Sequence, residues 1–300
     1  MKSVAFVAVV LSAQLASHSA GADSKAWTSG KSVISGSEKF VGGVSASSVR
    51  ASALYQQWLP MLLTQAGDAK TALDTISKEC NIDVLTSIDS IAFGIDDNQT
   101  GSVVFALKGT NHKALDVCMQ KLGKADNKTI TITTDGKLTK YEGLNDKPIY
   151  LRWLAADVFA VTTSPDDKDA STKLLSGGVT SNKALAKALG VVDKGASAWI
   201  VVDKEHVLDN IGKVEQYYAN AVVANKKITV TGHVVTDTPA TATSLAAAVT
   251  KKLADVQAGA SKSLQAAIGS VTLKAAGAEI SASAAIAEDD VVALIMTMMH

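Results

Sequence analysis

The stretch from Glu79 to Met119 constrains this chain more than any other. It reads ECNIDVLTSIDSIAFGIDDNQTGSVVFALKGTNHKALDVCM: a helix end carrying Cys80, two strands around a turn, then a helix carrying Cys118. Ser90–Asp96 and Ser102–Lys108 carry small and apolar residues, and Asp97, Asn98 and Gly101 supply turn chemistry between them, which predicts a hairpin. The chain contains 2 cysteines, and each lies in a hydrophobic segment that a disulfide can tie across this strand pair. Two separate buried thiols are the alternative, since cysteine tolerates burial well.

Compartment weighs on that choice. Lys2 supplies a positive first region, Val4–Leu15 is a short apolar run, and Ala20-Gly21-Ala22 offers small residues before Asp23. This three-part pattern predicts a secretory signal peptide over residues 1–22, and the apolar run is too short to span a bilayer. No cysteine lies near the cleavage region to carry a lipid anchor. No later segment has the unbroken apolar length of a membrane span, so the expectation is a soluble protein, periplasmic or secreted, with no transmembrane segment after signal cleavage. Oxidising compartments preserve disulfides, which favours a Cys80–Cys118 bond. A closed loop of about forty residues is worth roughly 3–4 kcal/mol in the chain-entropy model.

Residues 23–38 are small, polar and rich in Gly and Ser, and predict a flexible leader. Lys39–Ser45 reads as the first strand, followed by a helix through VRASALYQQWLPMLL that Pro60 kinks. A second helix runs Asp68–Glu79. After the hairpin comes a helix over His112–Leu122, then strands Thr129–Thr134, Lys137–Glu142 and Ile149–Leu154, with Asp135-Gly136 marking a tight turn. Val158–Thr163 adds a strand. Ser164-Pro165-Asp166-Asp167 then caps a helix running to Leu175, and Asn182–Leu189 forms another.

At Ala196 the pattern restarts. ASAWIVVDKEHVLDNI reads as a strand and then a helix, and KKITVTGHVVTD is an alternating strand with Ile228, Val230, Gly232 and Val234 on one side. An Ala-rich helix, Ala240–Ala258, precedes a shorter one at Ser261–Ile268. Strands Val271–Ala275 and Glu279–Ile286 surround Gly277, and Asp289–Met299 closes the chain as a helix. The fold class expected is therefore α+β: a largely antiparallel sheet with helices on one face, built as a duplicated unit over residues 39–190 and 196–300.

Three stretches resemble an uncharacterised group of exported α+β proteins of myxobacteria and their relatives. They are FVGGVSASSVRASALYQQWLPMLL, CNIDVLTSIDSIAFGI, and the helix HKALDVCMQKL, all within residues 39–122. The resemblance implies a paired Cys80 and Cys118 and a periplasmic or surface setting; it implies no activity. Where relatives carry glycine after the first cysteine this chain has Asn81, a residue that also tolerates a left-handed backbone.

Charge and motifs narrow the chemistry. Lys+Arg 29 against Asp+Glu 29 argues against a general nucleic-acid or anionic-membrane binder, no run of Lys and Arg announces a local basic face, and Arg50 and Arg152 are the two arginines. The histidines are His18, His112, His206, His233 and His300, none with a partner at metal spacing. His233 points to solvent or into a polar contact. No GxSxG, SxxK, GxxxxGK[ST] or GxGxxG motif occurs. Asp96, Asp97 and Asn98 suit a calcium loop by ligand type, but a hairpin tip explains them without one, as the helix macrodipole explains Asp166, Asp167 and Asp169. Asn98-Gln99-Thr100 and Asn127-Lys128-Thr129 form glycosylation sequons. Of the tryptophans, Trp199 reads as core and Trp58 as core or an exposed anchor. A partner-binding role places an apolar patch near Trp58 or Val291–Met299. The resulting expectation is an exported, non-enzymatic binding or structural protein of the envelope, with no cofactor or metal and no catalytic residue implied. The alternative is a carrier or chaperone for an apolar ligand, held between the sheet and the Ala/Leu-rich helices.

Overall fold

The computed structural model describes residues 22–53, 55–56, 67–98, 100–143, 147–162, 174–175 and 178–291 of the 300-residue chain. The signal segment, the helix across Pro60, the helix after Ser164 with its three aspartates, and the closing helix beyond Val291 fall wholly or mainly outside the described residues. Two compact units emerge: a first unit of Asp23–Ser47 and Pro60–Ala186, and a second unit of Ser48–Leu59 and Lys187–His300. These boundaries differ from the expected 39–190 and 196–300. The first unit takes in the segment before Lys39, and residues 48–59 belong with the C-terminal half. Glu288, 4% exposed, shows how: its Oε2 accepts a hydrogen bond from the backbone N–H of Ala53 at 2.6 Å.

The first unit contains α1 (Lys25–Gly30), β1 (Phe40–Ser45), α2 (Gly67–Cys80), β2 (Ile88–Ile95), β3 (Gly101–Leu107), α3 (His112–Ala125), β4 (Thr131–Asp135), β5 (Leu138–Glu142), β6 (Ile149–Ala155) and β7 (Val158–Thr162). Its strands follow the order β1-β2-β3-β7-β6-β5-β4, every pairing antiparallel. The alternation seen in the sequence becomes two faces. On one, Leu107, Tyr141, Leu151 and Phe159 form a buried cluster that Leu115 and Met119 of α3 cover. Asn111 caps α3, its Oδ1 accepting from Ala114 N at 3.0 Å. The two-residue turn between Asp135 and Leu138 places Gly136 at φ +57, the left-handed conformation that its type demands.

Residues 23–38 are not a flexible leader. Ser24 caps α1, and Ala26, Trp27, Val33 and Ile34 are buried on the face of the sheet opposite α3. Ala26 N donates to the buried hydroxyl of Ser90 at 3.0 Å, and Lys25 pairs with Asp157 at 2.5 Å. Gly30 lies so close to Val104 that an added Cβ would stand 2.6 Å from its methyl group. The segment looked polar because its apolar residues are few, yet those few all point the same way. Fully burying side chains of this size contributes roughly 1.5–3 kcal/mol each, more than enough to order a short segment.

The second unit contains α4 (Lys183–Val191, which begins just before the boundary), β8 (Ala198–Val202), β9 (His206–Leu208), β10 (Gly212–Ala224), β11 (Lys227–Thr236), α5 (Pro239–Ala258), α6 (Lys262–Gly269), β12 (Thr272–Ala276) and β13 (Glu279–Ala287). Its strands follow the order β8-β10-β11-β13-β12, with β9 also paired to β10, again antiparallel throughout. Thr238 caps α5, with Pro239 in its first turn. Val214, Val234, Ala242, Leu245 and Ile280 form the core between α5 and the sheet, and Val249, Leu273 and Ala275 pack against it.

One expectation fails here. The helix expected after Val202 is absent: β9 and a turn occupy that stretch, and the 13-residue strand β10 follows. Asn210 at φ +62 and Gly212 at φ +137 turn the chain, and Leu208 and Ile211 reach the core from that turn rather than from a helix face. A register shift between Val214 and Gln216 breaks the alternation of β10, which hid the strand's period of two. The α+β class with an antiparallel sheet stands as expected. No helix among the described residues is long and apolar enough to cross a membrane.

Candidate functional site

Three adjacent strands of the second unit bring together Tyr218, His233 and Glu279. Val234 faces α5 from β11, so His233 beside it faces the other way. Tyr218 on β10 stands directly opposite His233, and Ser281 on β13 stands opposite it on the other side. Glu279, two residues before Ser281, therefore shares that face. The Tyr218 and His233 rings stack at 4.8 Å with an interplanar angle of 11°. Tyr218 donates its hydroxyl proton to Glu279 Oε1 at 3.0 Å, and His233 Nδ1 bonds to the same oxygen. With Glu279 ionised, the shared oxygen is the acceptor and Nδ1 carries the proton of that bond.

Ser281, His233 and Glu279 are the residue types of an acyl-transfer triad, but their geometry differs from one. The Ser281 hydroxyl donates to Lys274 O at 3.3 Å rather than to His233. The backbone here lies within an antiparallel ladder, which engages the N–H groups an oxyanion site requires. The trio instead continues a set of cross-strand polar ties on this face: Asn220 Nδ2 donates to Thr231 Oγ1 at 3.3 Å, and the Thr272 and Ser283 hydroxyls are 3.0 Å apart.

A second histidine–carboxylate–tyrosine set occurs in the first unit. His112 and Asp116 lie one turn apart on α3, 3.7 Å between Nε2 and Oδ2. Tyr141 on β5 donates to Asp116 Oδ1 at 2.7 Å. His112 Nε2 lies 3.2 Å from the hydroxyl of the buried Thr139, and its ring is 5.4 Å from that of Trp153. This set joins the start of α3 to the sheet it covers.

Both tyrosines hold their protons well above the ordinary phenol value. For Tyr141 burial is the larger cause and the bond to Asp116 adds to it; for Tyr218 burial leads and the negative charge of Glu279 follows. The unfolded chain loses these protons near pH 10, whereas the native state keeps them. The native state thus binds more protons, and its stability, fully present below about pH 10, declines as pH rises further. Melting temperatures from about pH 9 to 11.5 should fall less steeply for Tyr141→Phe than for the wild type. Parallel slopes would show that this phenol does not couple ionisation to folding.

The sequence-derived candidates are placed as follows. Cys80 and Cys118 are joined as a disulfide, which settles the choice between bond and free thiols. Asn81 after Cys80 adopts φ +56, the left-handed conformation that asparagine tolerates. Asp96 forms a hairpin tip: its Oδ1 accepts from Asn98 N at 2.8 Å and Thr100 N at 3.0 Å, and its Oδ2 from Thr100 Oγ1 at 2.6 Å. No group of three metal-ligating side chains occurs among the described residues. Trp199 is buried, as read, and His206 lies on β9. Trp58, His18, His300 and the 292–299 part of the expected patch lie outside the described residues. Glu279, Tyr218 and the Asp116–Tyr141 pair were not singled out in the sequence. The sequence left His233 facing either solvent or a polar contact; the structure gives the contact, with a partner 46 residues away.

No family model matches this chain, and no curated protein matches it. Among solved structures, TP0453 in crystal forms III and I aligns with it at a TM-score of 0.47 and 8% identity. The alignment covers 88% of this chain and 96% or 95% of TP0453. A likeness at that level carries nothing about function.

Proposed function

We propose that this chain is an exported, non-enzymatic binding or structural protein of the cell envelope, periplasmic or secreted. The observation that carries the reading is the use made of its best-placed polar groups. Glu279 Oε1 accepts from both Tyr218 and His233, and Asp116 accepts from Tyr141, so these carboxylates serve as cross-strand and helix-to-sheet ties. A catalytic carboxylate or imidazole instead keeps its working atom directed at a substrate. The engagement of both cysteines in one bond supports an oxidising compartment, as does the signal pattern of residues 1–22. The resemblance of residues 39–122 to exported α+β proteins points the same way.

We also infer that the two units descend from one duplicated unit. Each has a three-strand meander, then a helix, then a hairpin whose second strand pairs with the third meander strand. This gives β1-β2-β3-β7-β6 in one unit and β8-β10-β11-β13-β12 in the other. The hairpin β4–β5 extends the first copy, and β9 is an addition to the second.

Native mass spectrometry of the mature protein, purified gently from its own host, tests the binding role. A stoichiometric protein companion or a homo-oligomer is expected. A mass excess matching a small apolar molecule would replace this reading with the carrier role, and a bare monomer would count against both.

A further inference from the structure

We propose that α2 is a disulfide-latched flap: reduction of Cys80–Cys118 frees this helix from α3 while the sheet of the first unit stays folded. Three observations place the latch there. First, the bond joins the last residue of α2 to the middle of α3, a helix whose own anchor is Leu115 and Met119 in the core. Second, among the described residues the neighbours of α2 are chiefly α3 and the single helical turn Val84–Ser87, not the sheet. Leu73 and Ile76, apolar side chains on the turns before Cys80, are only half-buried. Third, the segment between the cysteines, which stand 38 positions apart, holds β2 and β3, which pair with β1 and β7 and bury Ala92, Val104 and Ala106 completely. The body enclosed by the bond thus has its own ladder and core, whereas α2 packs on α3 rather than on the ladder, and the bond fastens it there.

The chain beyond α2 is shaped as a hinge. Asn81 at φ +56 ends the helix, and Asp83 starts the next turn by accepting from Leu85 N and Thr86 N. Exposure also orders the chemistry. Cys118 is 4% exposed and Cys80 is half-buried, so the thiolate of an incoming dithiol reaches Cys80 Sγ first. That attack forms a mixed disulfide on Cys80 and expels the Cys118 thiolate, which takes up a proton. The second thiol of the reductant then attacks its own sulfur in the mixed disulfide and releases Cys80 as a thiol. Two electrons pass to the protein disulfide and the dithiol leaves as its cyclic disulfide. The released helix presents Leu73 and Ile76, and uncovers the side of α3 around Cys118.

Hydrogen exchange of the full chain, with and without dithiothreitol, tests the latch. On reduction, exchange of amides in residues 67–80 should rise at least about tenfold, while β2, β3 and β7 keep their protection. The Cys80→Ser/Cys118→Ser double variant should show the reduced pattern from the start and respond no further to dithiothreitol. Unchanged protection of residues 67–80 would overturn the proposal, because contacts alone would then hold α2. Loss of protection across the whole first unit would overturn it equally, because the bond would then hold the fold and not a flap.

Discussion

Phe159→Ala is expected to destabilise the first unit by about 3–5 kcal/mol. Phe159 is 7% exposed on β7, with the Phe105 ring 5.6 Å away on β3 and the Trp153 ring 5.2 Å away on β6. These three aromatics and the neighbouring Leu107, Leu151 and Tyr141 form the surface on which α3 rests. Truncation removes the transfer free energy of the ring and leaves a void walled by paired strands, which cannot close over it. Tilted aromatic pairs add about 0.5–1.5 kcal/mol beyond burial. Urea unfolding followed by tryptophan fluorescence measures the effect. Val117→Ala on the exposed side of α3, 44% exposed, is the control and should change stability by no more than about 0.5 kcal/mol. A loss under about 1 kcal/mol for Phe159→Ala would mean that the cluster is not packed as described.

The second large effect comes from the smallest change. Gly101→Ala is expected to cost about 3 kcal/mol or more, at the upper end for overpacking. Gly101 begins β3, opposite Ile95. A Cβ there would stand 1.9 Å from the carbonyl oxygen of Gly94 and 2.8 Å from the Ile95 Cα. Both are backbone atoms, so no side-chain rotation relieves the clash and the hairpin itself must shift. That shift would also disturb the Gly101 carbonyl, which accepts from Thr162 Oγ1 at 3.0 Å and so helps tie β3 to β7. Gly136→Ala separates the steric cost from the conformational one. Gly136 sits at φ +57 with nothing within 4 Å of an added Cβ, so only the left-handed penalty of about 1–2 kcal/mol applies. Equal losses for the two variants, read from denaturant midpoints, would contradict the close approach at Gly101.

The sequence by itself determined those parts of the protein that rest on local chemistry. The β2–β3 hairpin, with Asp96 and Gly101 around its tip, and the β4–β5 hairpin, with Gly136 in its turn, follow from residues that few other conformations accept. α3 and α5 follow from apolar residues at helical spacing: Leu115, Cys118, Met119 and Leu122 in one, Leu245, Val249, Leu253 and Val256 in the other. Disulfide formation was favoured because the signal pattern of residues 1–22 pointed to an oxidising compartment, where two cysteines have a thermodynamic reason to meet, and the α+β class followed from the alternation of these elements.

Only the tertiary structure decided what depends on partners distant in the chain. β10 was hidden because a shift at Val214–Gln216 breaks its alternation, and the ladder with β8 and β11 supplies hydrogen bonding that no local pattern records. The segment 23–38 looked flexible by composition, yet it orders because Ala26, Trp27, Val33 and Ile34 find a sheet face built by residues 88–160. The Tyr218–His233–Glu279 trio depends on strand register: moving β13 by one residue would turn Glu279 to the α5 side and dissolve the site. Periodicity shows which face a residue takes. Which residues stand beside it is set by the pairing of strands, and that pairing is settled only when the whole core is buried at once.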